Sequence, residues 1–472
     1  MIAGLGEAYT VALRKAWAQV PGGVDLVAYW FAKAWAQMQA GELTRAGLVS
    51  TNSIRGGANR EVLKPIVDGG RIFAAWGDEE WTVDGAAVRV SLVCFETAKA
   101  DHAFLDGKVV TEVFADLSAA RGGHDLTSAA RLTQNRSIAF QGPVNVGQFD
   151  VDAETARTWL SAPRNPNGLT NVEVVFPLLN GSDITQRPSG RWIVNFGEMK
   201  EIDAALFERP FEHVLLFDKP DRLTNSDRQR REYWWRLGRS GSDLRNASVG
   251  LSRLILTPRV ARHRLFVWAS RTVVPDSRVV AVTRDDDTTF GILHSRFHEL
   301  WTLALGGWHG VGNDPQYTPS LGFETFPFPA GLTPDIPSAD YAADPRAIKI
   351  AAASARLNEQ RENWLNPADL VQRVPEVVPG YPDRLLPVSP EAEAVLKKRT
   401  LTNLYNAKPA WLTHAHKSLD EAVAEAYGWG DDWRAGKLTD DEILSRLFHL
   451  NQDRAKAQSK APSPMVQKKG DK

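Results

Sequence analysis

VDLVAYWFAKAWAQM (residues 24–38), RAGLVSTNSI (45–54) and AAVRVSLVCF (86–95) decide how the first part of this chain is read. The first stretch sets Leu26, Tyr29, Trp30, Lys33 and Ala34 at helical spacing, the second is a short β-rich run ending in small polar residues, and the third is a buried strand. The order from Val24 to Phe95 therefore reads helix, strand, helix, strand. That alternation predicts an α/β unit whose parallel or mixed sheet is layered by helices. Ligand-binding groups in such folds collect at the carboxyl ends of strands, which singles out Ser50, Thr51, Asn52 and Ser53.

Further along, SAPRNPNGLTNVEVVFPLLNGSDITQRPSG (161–190) is polar and rich in Gly and Asn, the composition of an entry to a new domain. The proline-dense FETFPFPAGLTPDIPSADYAADP (323–345) closes that region. Beyond it, AIKIAAASARLNEQRENWL (347–365) and SLDEAVAEAYGW (418–429) carry helical patterns, interrupted by the stiff VPEVVPGYPDRLLP (374–387). The final residues, KAPSPMVQKKGDK, are low in hydrophobicity, and a disordered tail is expected over 461–472. No internal repeat is present.

With 472 residues the chain is too long for one ordinary domain, and its apolar content suffices for real cores. The single cysteine, Cys94, excludes an internal disulfide framework and fits a reducing compartment, so a cytoplasmic location is expected. The opening MIAGLGEAYT has no basic flank followed by an apolar run that could act as a signal, and no stretch approaches the ~20 apolar residues that span a bilayer. With 56 basic residues against 57 acidic ones, nucleic-acid binding has to come from a local patch.

Such a patch exists. Between Arg228 and Arg271 there are eleven arginines, no lysine, and only Glu232 and Asp243 in opposition. The bias is toward the side chain that forks onto phosphate and guanine. Tyr233, Trp234 and Trp235 interleave with the arginines, and LSRLILTPRVARHRLFVW (251–268) alternates basic and apolar residues as a strand would, placing Arg262 and Arg264 on one face. The competing reading is a solvated basic face.

Other motifs carry less. HSRFHE sets His294 and His298 one helical turn apart, the spacing of a two-histidine metal clamp, but Glu299 follows the second histidine rather than the first and no third ligand is evident. The residues are read as a packed helix, and no metal is expected. NDPQY (313–317) resembles the Asn/Asp-Pro-Pro-Tyr/Phe turn of amino methyltransferases without its second proline, after GGWHGVG rather than an apolar strand, and is read as a loop. No phosphate or cofactor cradle, catalytic triad or paired-carboxylate site can be argued from spacing.

In long ordered segments the chain resembles the MmeI-like group of adenine-specific DNA methyltransferases, fused restriction and modification enzymes. VDLVAYWFAKAWAQM, AGLVSTNSIRGGANREVLKPIV and WTVDGAAVRVSLVCF are similar to the second half of that group's catalytic domain. NGSDITQRPSGRWIVNFG, RPFEHVLLFDKPDR, LILTPRVARHRLFVW, DDDTTFGILHSRFHELW and FETFPFP are similar to its target-recognition domain, and NPADLVQRVPEVVPGYPDRLLP and KKRTLTNLYNAKPAWL to its helical C-terminal region. The resemblance implies an α/β chain: a partial Rossmann-like methyltransferase sheet over 1–100, a connector over 101–175, an α+β DNA target-recognition domain over 176–330 and a helical domain over 331–460.

In that family a Gly-containing loop for S-adenosylmethionine and an Asn-Pro-Pro-Phe/Tyr catalytic turn precede the segment matching the start of this sequence. Neither occurs here. The expectation is the C-terminal portion of a bacterial restriction-modification or phage-defence methyltransferase for adenine N6. Such a portion binds no cofactor by itself and acts on double-stranded DNA with the missing half, supplied in the same or a separate polypeptide. The implied mechanism is base flipping, with Trp81 as the stacking wall and Trp76 as the fallback position. Arg187, Arg191, Arg236, Arg239, Arg259, Arg262 and Arg264 are the implied DNA contacts, with Arg55 beside the catalytic half. The alternatives are an autonomous DNA-specificity protein without catalysis, and a remnant whose half sheet leaves an unpaired edge.

Overall fold

A computed structural model of the chain describes residues 6–83, 86–98, 100–119, 126–309 and 314–460. The expected disordered tail, 461–472, lies outside the described residues. Contacts gather the chain into two units that interleave in sequence, whereas the sequence reading drew consecutive domains with boundaries at residues 100, 175 and 330. Unit one comprises residues up to 130 with 303–316 and 438–453, and unit two comprises 131–302, 317–437 and the remainder from 454.

Unit one is built on a five-stranded mixed sheet of β1 (Arg45–Thr51), β2 (Arg71–Val83), β3 (Ala86–Glu96), β4 (Ala103–Leu105) and β5 (Lys108–Val110), in the order β1-β3-β2-β4-β5. β3 runs antiparallel to both β1 and β2, and β4 joins β2 in parallel. β2 was not anticipated. Its Asp78-Glu79-Glu80 run hides the strand pattern, and a register shift between Trp76 and Glu79 breaks its alternation.

The helix Leu26–Gln39 covers the sheet by burying Ala28, Tyr29, Phe31, Trp35 and Met38, while Leu26 and Trp30 are exposed. Of Leu26, Tyr29, Trp30, Lys33 and Ala34, which the sequence sets at helical spacing, Tyr29 is buried whereas Leu26, Trp30 and Lys33 are exposed. Because apolar residues surround this helix, periodicity alone could not select its buried face.

One carboxylate pins the sheet. Glu96, only 2% exposed, stands across from Arg45 of β1 and from Arg71 of β2, and accepts hydrogen bonds from the Nε of each, at 2.5 and 2.9 Å. A one-residue slip of either strand would break one of these pairs, so Glu96 specifies register as well as charge balance.

Unit two holds two four-stranded sheets. β6 (Ala139–Gln141), β10 (Arg253–Pro258), β11 (Val267–Ser270) and β13 (Val279–Val282) form an antiparallel sheet in the order β11-β10-β13-β6. β7 (Asp150–Val151), β8 (Val175–Leu179), β9 (Trp192–Val194) and β12 (Val274–Pro275) form the second, in the order β12-β8-β9-β7. Its core gathers Phe149, Trp159, Trp192, Phe196, Phe207, Trp234 and Trp235. The expected helical region contributes Pro345–Leu365 and Ala410–Ala426 to this same unit. The helix Asp287–His294 approaches the first of them so closely that a Cβ on Gly291 would lie 2.6 Å from Ile350 Cγ2.

Burial disfavours the charged form of Glu96, but the guanidinium groups of Arg71 and Arg45 outweigh it and hold the carboxyl below its ordinary value. Its stabilisation is therefore complete above the ordinary glutamate pKa of about 4.3 and is lost as pH falls from there through the folded-state value. Glu96→Gln should lower the unfolding free energy of unit one at neutral pH by about 1–3 kcal/mol and flatten its acid-side loss of stability. Urea unfolding repeated at decreasing pH checks both, and parental curves would remove Glu96 from its role as register pin.

Candidate nucleic-acid interface

Among the eleven arginines between 228 and 271, Arg231, Arg236, Arg253 and Arg264 spend donors inside the protein. Arg236 gives Nε to Met199 O, Nη1 to Glu198 at 2.8 Å and Nη2 to the carbonyls of Glu198 and Met199, and lies 4.7 Å from the centre of the Tyr233 ring. Arg253 reaches Asp287 at 3.0 Å and lies 3.6 Å over Trp268. Arg231 donates to the carbonyls of Asn225 and Ser226, and Arg230 pairs with Asp227 at 3.4 Å. Much of the missing countercharge thus comes from Glu198, Asp227 and Asp287, which lie outside the window in sequence.

The pair Arg262 and Arg264 needs correction. The sequence reading put both on one face of a strand, but β10 ends at Pro258 and β11 begins at Val267, so residues 259–266 form a loop. Pro258 has no amide hydrogen with which to continue a ladder. Arg262 is exposed and makes no hydrogen bond or ion pair with the described residues. Arg264 is 7% exposed, donates to Thr257 Oγ1 at 3.0 Å and Pro258 O at 2.6 Å, and lies over the Tyr317 ring. Burial pushes its pKa down to about 10, still charged at neutral pH.

The other expected contacts also divide. Arg187 is half-buried and caps the end of helix Pro345–Leu365 by donating to Leu365 O and Asn366 Oδ1. Arg191, just before β9, pairs with Asp150 of β7. Arg259 is half-buried and donates weakly to Ser277 O at 3.4 Å. Arg239 is exposed, with one long bond to Gly142 O at 3.3 Å. It borders an open cleft of about 390 Å³ lined by Arg222, Arg230, Tyr233, Arg236 and the carboxylates Glu198 and Asp227. Arg230 belongs to the arginine-rich patch but not to the DNA contacts named from the sequence, and Arg222, just before that patch, was not singled out.

In unit one, Trp81 lies in β2 opposite Val88 of β3 and is 45% exposed, whereas Trp76 is half-buried. An exposed indole on a long two-stranded arm is a ready stacking surface. Its neighbours are acidic: Glu80 is exposed, and Asp78 pairs with Arg89 at 2.7 Å. Arg55 donates to Gly77 O at 3.2 Å. At the end of β1, Ser53 Oγ and Asn59 Nδ2 both donate to Asp25, and Asn52 donates to Asp78, so these polar side chains knit the loop together.

His294 and His298 do not form a clamp. Ser295 separates helix Asp287–His294 from helix Arg296–Leu305. His294 Nε2 accepts from the Phe266 amide and faces Arg361 Nη1 at 2.7 Å, while His298 Nε2 meets the Tyr317 hydroxyl at 3.0 Å. Burial, reinforced by Arg264, pushes His298 down to about 3. Among the described residues no group of three or more His, Cys, Asp or Glu is placed to hold a metal, and no helix is long and apolar enough to cross a membrane. Of NDPQY, Asn313 lies outside the described residues, Asp314–Pro315 pairs with Trp308–His309, and Tyr317 is buried.

No family model and no curated protein matches the chain. Among solved structures it is similar to the Type IIL restriction-modification enzyme MmeI in complex with DNA, with a TM-score of 0.68 and 18% identity over 95% of this chain and 55% of that one. A second match, the type IIG restriction endonuclease BpuSI, covers 82% of this chain and 48% of that one at 9% identity, and its TM-score of 0.26 carries no argument. The chain thus spans about half the length of each, and the first likeness is one of fold.

Arg264 and Arg262 should behave oppositely. Arg264→Met leaves Pro258 O and Thr257 without their donor and should lower the unfolding free energy by about 2–3 kcal/mol, whereas Arg262→Ala should stay within about 0.5 kcal/mol of the parent. Equal losses in urea unfolding would contradict the burial assignment.

Proposed function

We propose that the chain is the DNA-recognising portion of a site-specific DNA adenine-N6 methyltransferase of the restriction-modification type. The observation that carries this reading is the fold likeness over 95% of the chain to an enzyme solved in complex with DNA. Unit two binds the duplex through guanidinium groups not consumed internally, foremost Arg262 and Arg239. Phosphate contacts fix position and base-edge contacts specify sequence. S-adenosylmethionine and the residues that bind it belong to a methyltransferase half acting together with this portion, in the same or a separate polypeptide. No residue of this chain is assigned to the cofactor.

In this reading the adenine is flipped out of the stack, and Trp81 supplies one planar wall for it. Stacking worth about 1–3 kcal/mol per base offsets part of the unstacking cost. The acidic run Asp78-Glu79-Glu80 beside Trp81 favours a second reading, an autonomous DNA-specificity protein without catalysis, because carboxylates repel backbone phosphates.

Two measurements test the proposal. Duplex DNA should bind at low salt, with log K falling against log salt by about 0.9 for each phosphate neutralised, and a flat dependence would remove the DNA-binding role. When the cofactor-binding half is supplied, Trp81→Ala should slow adenine methylation by roughly ten- to a hundredfold with little change in DNA affinity. Methylation at the parental rate would transfer attention to Trp76, and no methylation by any reconstituted form would leave the second reading standing.

A further inference from the structure

The cleft beside Arg239 has an unusual balance of donors and acceptors. Its two carboxylates are already committed. Glu198 accepts from Arg236 Nη1 through one oxygen and from the Ser240 hydroxyl through the other. Asp227 caps helix Arg228–Glu232 by accepting from the amides of Gln229 and Arg230 through Oδ1, and turns Oδ2 to Arg230 Nε. The Arg236 fork is likewise saturated by Glu198 and Met199.

Three other guanidinium groups keep N–H bonds to spare. Arg222, 3% exposed, gives Nη2 to Val146 O at 2.5 Å and Arg236 O at 3.1 Å, leaves its buried Nε without a partner, and makes no bond through Nη1 to the described residues. Arg230 uses only Nε, and Arg239 only one long Nη2 contact. All three line the same cleft, together with the Tyr233 ring. A ligand with several acceptor oxygens and no donors matches the spare N–H bonds that Arg230 and Arg239 hold at the rim. A phosphodiester has that chemistry, while a neutral or cationic ligand would leave the surplus charge unmatched.

Building on the DNA-binding reading above, we propose that this cleft is a backbone-phosphate seat for duplex DNA, with Arg230 and Arg239 holding phosphate oxygens at the rim and Arg222 supplying positive charge from the wall. Arg236 positions that wall and does not contact DNA. The seat fixes where the duplex lies and carries no sequence information.

The experiment is fluorescence anisotropy of the full chain with duplexes of differing sequence over a range of salt, comparing the parent with Arg230→Gln/Arg239→Gln and with Arg230→Lys/Arg239→Lys. Both positions are on the surface, and an unchanged thermal midpoint confirms that each variant folds. The glutamine pair should reduce the salt slope by about 1.8, weaken all duplexes by the same factor, and leave their ranking intact. The lysine pair should restore the slope. A parental slope in the glutamine pair, or a changed ranking among duplexes, would overturn the phosphate seat while leaving DNA binding in place. If the parent binds no duplex at low salt, the seat and the reading beneath it fall together.

Discussion

A buried guanidinium brings five N–H bonds that seek acceptors, and in unit two backbone carbonyls meet part of that demand. Arg264 closes on Pro258 O, Arg284 on Pro334 O and Ile336 O, Arg361 on Phe266 O, and Arg222 on Val146 O and Arg236 O. The bonds of Arg284, Arg361 and Arg222 tie segments far apart in sequence, and that of Arg264 closes its loop back onto the end of β10. Hydrogen bonds to charged groups contribute about 1.5–3 kcal/mol each, and an uncompensated buried charge costs about 3–5 kcal/mol. Arg361, 1% exposed and facing a histidine rather than a carboxylate, shows how far this goes. Beside it, His294 is held neutral by burial and by the neighbouring guanidinium.

The same constraint sorts arginines by role. Those saturated internally, such as Arg236 and Arg264, have nothing to offer a phosphate. Arg262, Arg239 and Arg230 retain donors at the surface and supply the net field that a polyanion would meet. A charge count along the sequence cannot make this distinction, because the compensating Glu198 and Asp287 arrive from other parts of the fold.

How much was legible follows from the same physics. β1 and β3 were readable because β-branched and apolar residues dominate them, and a mixed sheet was within the expected class. β2 was hidden by its acidic run, and the buried face of helix Leu26–Gln39 by apolar residues all round it. Alternation across 259–266 resembled a strand, yet the loop turns Arg264 inward and leaves Arg262 outside. The histidine spacing presumed one continuous helix, which Ser295 interrupts. The arginine-rich segment borders the cleft, but Arg222 lies outside that segment, and the arginines with spare donors emerge only when saturated and unsaturated donors are told apart.

The most direct measurement of the central claim is amide hydrogen exchange of the full chain with and without saturating duplex DNA at low salt. The account predicts slowed exchange over residues 226–242 and 260–263, with the segments closed by Arg264, Arg284 and Arg361 unchanged. Protection confined to the exposed apolar helices around Ile202, Leu216 and Phe217, or no protection in unit two, would contradict it.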